Sequence, residues 1–135
     1  MSQENVDVAV LGLERWSDGD ETAALECLAP DVEFHHNIGL GTPLEGIYRG
    51  HAEVRKLWAD IRESFAEPRI DIETATEHDG VVLVLGMLRL QGSGSGAVGD
   101  TPFGLIAAVE HGVVRRQFLW TGDPAKALEA VGLSE

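Results

Sequence analysis

Apart from one short stretch at 31–36, apolar residues in this chain of 135 recur every three or four positions as far as residue 65 and then at every second position. A switch from the helical to the extended repeat restricts the chain to helices followed by a sheet, the order of an α+β fold. Val6, Ala9, Val10, Leu13 and Trp16 mark one face of a helix over residues 5–16. A second helix is expected over 18–29, with Asp18 and Glu21 at capping-box spacing, Ala24, Cys27 and Leu28 along one side, and Pro30 as its stop. The clearest helical stripe is the third, where Val54, Leu57, Trp58, Ile61 and Phe65 fall on one face after Gly50.

Between the second and third helices, DVEFHH alternates strictly. As a strand it sends Val32, Phe34 and His36 to the apolar side and Asp31, Glu33 and His35 to the other. From Pro68 onward the alternation continues through Ile70, Ile72, Thr74 and Thr76, and Asp79-Gly80 and His111-Gly112 supply hairpin turns. The second half therefore reads as a four-stranded antiparallel meander. GSGSGAVGD at 92–100 reads as a loop, and it lacks the lysine and following helix of a phosphate-binding loop. Asp123-Pro124 and Gly132 mark the ends of a short C-terminal helix.

Ten basic against 23 acidic residues leave a formal charge of −13, which repels phosphate backbones and anionic lipid, so no nucleic-acid or membrane partner is expected. The N-terminus lacks a basic stretch followed by an apolar core, and no apolar run reaches the roughly 20 residues of a membrane-spanning helix. A cytoplasmic protein of one domain, residues 1–135, is the expectation. Cys27, the single cysteine, reads as a buried small hydrophobe. No metal is expected, because the adjacent His35 and His36 point to opposite faces of a strand and no ligand spacing such as HExxH occurs.

The order of elements, together with LAPDVEFHH, GIYRGHAEVRKLW, the late HGVV…FLW and DPAKALEAVGL, resembles the SnoaL-like branch of the nuclear transport factor 2-like superfamily, which includes ketosteroid isomerases. The resemblance spans residues 4–133. It implies a cone: a curved antiparallel sheet of a short first strand plus the meander, covered by three helices, with a hydrophobic pocket at the open end. It further implies a homodimer that needs no cofactor.

Carried over residue by residue, the resemblance puts His36 where ketosteroid isomerases hold a carboxylate base. A neutral imidazole is a chemically sound substitute near neutral pH. The oxyanion donors of those enzymes fall at Gly12 and Gly104, which have nothing to donate, so steroid isomerisation is disfavoured. Trp58 and Trp120 match pocket aromatics, and Trp16, Leu28 and Phe34 match pocket-facing positions. Tyr48 either closes the pocket mouth or packs beneath Arg49, and loop 37–48 is either lid or wall. Counting back by two from Trp120 turns Phe118 and Arg116 inward, with Arg116 as an anchor for an anionic ligand. The acids of the superfamily's epoxide hydrolases and polyketide cyclases have no placed counterpart. Two readings stay open: a cofactor-independent isomerase, cyclase or hydrolase using His36 as base, or a noncatalytic module that binds a small hydrophobic molecule or dimerises.

Overall fold

A computed structural model describes residues 2–37, 46–65, 68–90 and 99–121. The elements are α1 (Ser2–Ser17), α2 (Glu21–Glu26), β1 (Leu28–Asn37), β2 (Gly46–Arg49), α3 (Gly50–Ser64), β3 (Arg69–His78), β4 (Val81–Leu90), β5 (Gly99–Glu110) and β6 (Val113–Thr121). The six strands form one curved, unclosed sheet in the order β2-β1-β6-β5-β4-β3, and the helices cover one of its faces. The expected C-terminal helix and most of the two loops at 37–48 and 92–100 lie outside the described residues.

The meander β3-β4-β5-β6 is antiparallel throughout. Two of its turns have positive φ at both central residues, 55° and 81° at Asp79-Gly80 and 55° and 79° at His111-Gly112. That is the turn geometry whose twist matches paired strands. Two features depart from the expected sheet. β1 lies parallel to β6, and the four-residue β2 pairs antiparallel with β1 and forms an edge. The sheet is thus mixed, with a strand added to the five expected.

The second helix is shorter than its sequence suggests. Asp20, not Asp18, caps it by accepting from the Ala23 N–H at 3.1 Å, and the helix ends at Glu26 with Cys27 as C-cap. Pro30 lies inside β1 instead of stopping a helix. It is tolerated there because the β1–β6 ladder is interrupted between Leu28 and Glu33, so its missing N–H forfeits no ladder bond. α3 has no side-chain cap at Arg49, but Glu53 accepts from the Arg49 N–H at 2.7 Å.

The core lies between the helices and the inner face of the sheet. α1 contributes Ala9, Leu13 and Trp16, and α3 contributes Val54, Leu57, Trp58 and Ile61. The strands answer with Val32 and Phe34, Val82 and Val84, and Phe103, Leu105 and Ala107. At Gly86 the backbone of β3 comes so close that an added Cβ would stand 2.1 Å from the Asp71 carbonyl oxygen. The β3–β4 ladder is irregular beside this approach, between Ile72 and Thr74.

Candidate functional site

The inner faces of α1, β1 and β6 leave a cavity of about 60 Å³ within this core. α1 supplies Gly12, Leu13 and Trp16 to its wall, the segment after α2 supplies Cys27 and Leu28, and α3 supplies Trp58 and Ile61. β1 contributes Phe34 and His36, and β6 contributes Val114, Gln117 and Leu119. The alternation of β1 explains the first pair: Val32, Phe34 and His36 are all buried, and His36 is only 7% exposed.

The aromatic wall is held from outside the cavity. The Arg62 guanidinium sits 5.0 Å over the Trp16 ring, donates to the Trp16 carbonyl at 2.9 Å, and pairs with Glu21 at 3.1 Å. Trp58 packs tilted against Trp16 at 6.4 Å and edge-on to Phe34 at 6.3 Å between ring centroids. Cys27 is buried, and its desolvation pushes the thiol pKa up against the opposing pull of Arg15. It is a wall residue of low reactivity.

Trp16, Leu28, Phe34, His36 and Trp58 thus line the cavity, whereas five other expected wall residues do not. β6 has the opposite phase from the count based on Trp120: Gln117 and Leu119 point inward, and Arg116, Phe118 and Trp120 point outward. The ladder also skips a residue near Arg115, where Ala108 pairs with Arg116 but Val109 with Val114. Arg116 has a side chain 59% exposed and pairs with Glu33 at 3.2 Å. Phe118 stacks on His35 at 4.2 Å between ring centroids. Gly104 opposes Trp120 across the β5–β6 ladder on the same outer side. Tyr48 is on the inner side opposite Phe34 and packs against the core without reaching the cavity wall. Burial and the nearby Asp60 charge raise its pKa.

Gln117 is the wall residue that the sequence reading put on the wrong face. It is 8% exposed, and among the described residues its side chain makes no hydrogen bond. It stands beside Phe34 in the parallel ladder, one inward position before the pair formed by His36 and Leu119. Among the described residues His36 and Gln117 are the two buried polar side chains, and both line this cavity.

The outer face holds the charges. The Glu33 carboxylate meets His35 at 2.7 Å, Arg49 at 3.2 Å and Arg116 at 3.2 Å. The His35 hydrogen bond, followed by the cationic neighbours, lowers the Glu33 pKa. No group of three or more His, Cys, Asp or Glu residues suited to a metal occurs among the described residues, and no helix among them is long and apolar enough to cross a membrane.

A family model described as the SnoaL-like domain matches residues 12–117. The chain belongs to that family, and its sheet and helices have the nuclear transport factor 2-like architecture. A nuclear transport factor 2-like protein of unknown function from Burkholderia pseudomallei is 24% identical over 93% of this chain and 95% of its own, with a TM-score of 0.80. TerC, co-crystallised with polyporic acid, is 22% identical over 96% and 98%, with a TM-score of 0.79. A candidate SnoaL-like polyketide cyclase from Jannaschia sp. CCS1 is 18% identical over 99% and 95%, with a TM-score of 0.76. At these identities the likeness is one of fold. No curated protein matches the sequence.

Proposed function

We propose that the protein binds a small, mainly apolar organic molecule in this cavity, with His36 as general base or hydrogen-bond acceptor in a cofactor-independent isomerisation, cyclisation or addition of water. The observation that carries the reading is that the two buried polar side chains among the described residues, His36 and Gln117, line one largely apolar wall. The names of two fold neighbours, one a candidate polyketide cyclase and one crystallised with polyporic acid, agree with an oxygen-bearing organic ligand.

Size narrows the reading. A dry cavity of about 150 Å³ takes up benzene, and this one is about 60 Å³. A multi-ring ligand therefore inserts only one end unless Trp16 or Trp58 turns aside. Steroid isomerisation stays disfavoured, since Gly12 brings no donor to the wall and Gly104 is on the far side of the sheet.

A noncatalytic binding module is the second reading, favoured because Gly12, where ketosteroid isomerases hold an oxyanion donor, brings none to the wall. A thermal-shift screen of small hydroxylated aromatics, followed by turnover assays on the hits, separates the two. The catalytic reading requires turnover that His36→Ala abolishes while the melting shift persists. Hits without turnover leave the binding module, and no hits at all remove both.

We also propose a homodimer through the outer sheet face. There Ile47, His35, Phe118, Ile106 and Leu83 form a continuous cross-strand row, flanked by Glu33 and Asp31 and by Arg49, Arg115 and Arg116. Charges of both signs beside an apolar row suit a second copy of the same surface. Sedimentation equilibrium should give a dimer mass that Phe118→Glu reduces to a monomer's, and a monomeric wild type refutes this assembly.

A further inference from the structure

Gln117 has no task in the base chemistry assigned to His36, yet it lines the cavity. Its amide offers two N–H donors and an acceptor oxygen; among the described residues it makes no hydrogen bond, and its polar atoms stay within reach of a water-sized molecule. A leucine of nearly equal volume would fill the same space between Val114 and Leu119 without burying a polar group. The side chain therefore has its use when something else occupies the cavity.

The charge state of that occupant follows from the wall. No Asp, Glu, Lys or Arg is among the described lining residues. The one cation that the sequence pattern directed inward, Arg116, is on the other side of the sheet with Glu33. An ion that entered would lose its hydration and meet no carboxylate, lysine or arginine of the described lining, which is far more costly than desolvating a neutral oxygen. A neutral amide recovers much of that smaller cost by donating to a carbonyl oxygen or by accepting from a hydroxyl.

We propose that Gln117 is the specificity-determining residue of the cavity, hydrogen-bonding a carbonyl or hydroxyl oxygen of an uncharged ligand and leaving the corresponding anion excluded. The proposal rests on the cavity being a binding site, and it replaces an anionic ligand with a neutral one.

The test uses the full chain, isotope-labelled for NMR, with four probes: xenon, acetone, acetamide and acetate. The last three share one planar shape and differ in charge and hydrogen bonding. Measurements near pH 8 keep an ordinary imidazole neutral. Xenon, acetone and acetamide should shift the cavity resonances saturably. Acetone and acetamide should also move the Gln117 side-chain amide signals, and acetate should bind at least about tenfold more weakly. Gln117→Leu should still take up xenon but bind acetone and acetamide about three- to tenfold more weakly, the worth of one hydrogen bond. Acetate binding as tightly as acetamide, or unchanged acetone and acetamide affinity in a Gln117→Leu protein that still takes xenon, overturns this inference and leaves the cavity reading standing. No response to xenon or to any of the other probes overturns both. The acetate–acetamide comparison is made on the wild type, so it decides the matter even if the variant fails to fold.

Discussion

Replacing Gln117 with leucine should make the protein more stable, an unusual outcome for a substitution at a site 8% exposed. The amide atoms stay within reach of a water-sized molecule, so the full cost of an orphaned polar group does not apply, while the leucine adds roughly 1 kcal/mol of apolar burial at equal volume. The net gain is therefore about 1 kcal/mol. For a domain of this length 1 kcal/mol moves the melting midpoint by roughly 3–5 °C, which is the expected rise. Calorimetry on the two proteins, with circular dichroism to establish that the fold is retained, measures it. A midpoint that is unchanged or lower in a natively folded Gln117→Leu protein would mean that the amide is already well partnered in the free protein, and the case for a ligand as its partner would fail. The expected pairing of higher stability with weaker ligand binding is the usual signature of a residue kept for function.

Other consequences follow from particular contacts. Gly86→Ala puts a methyl group 2.1 Å from the Asp71 carbonyl and 3.0 Å from Phe103 Cε1, so urea unfolding should show a loss of about 3 kcal/mol, whereas a loss under about 1 kcal/mol would mean that the sheet edge relaxes freely. Trp58→Ala should cost about 3–5 kcal/mol by the same assay, since the ring packs against both Trp16 and Phe34. The Glu33 pKa is lowered in the folded state, so its pairing stabilises the protein above the ordinary carboxylate range and is lost as pH falls through the lowered value. Melting midpoints of wild type and Glu33→Gln should therefore differ at pH 7 and converge below about pH 3; a gap that persists in acid contradicts the assignment. Arg116→Ala should leave the affinity of any cavity ligand within about twofold, because its side chain is 59% exposed on the opposite face.

How far the sequence could be read depended on how unlike the two faces of each element were. β1 was legible because charged Asp31 and Glu33 alternate with Val32 and Phe34, which also put His36 on the buried side. α3 was legible for the same reason. β6 was not: Phe118 and Trp120 on one parity are as apolar as Leu119 on the other, since the outer face is itself partly covered, Phe118 by His35. Anchoring the count on Trp120 therefore inverted the strand, carrying Arg116 inward and Gln117 outward. The skipped residue near Arg115 put two arginines side by side and erased the remaining alternation. One signal was available: Gln117 shares its parity with Leu119, so an alternative anchor on Leu119 would have found it. β2 escaped notice because four residues, GIYR, after a glycine-containing loop give too short a pattern to show a period.

The central claim is that His36 and Gln117 face a hollow that can admit a molecule from solution. Diffraction from crystals held under xenon tests it most directly, because xenon occupies accessible apolar cavities without needing a particular ligand. The account predicts a xenon peak enclosed by Trp16, Phe34, His36 and Gln117. An empty map in that region, with side chains closed over the space, would contradict it.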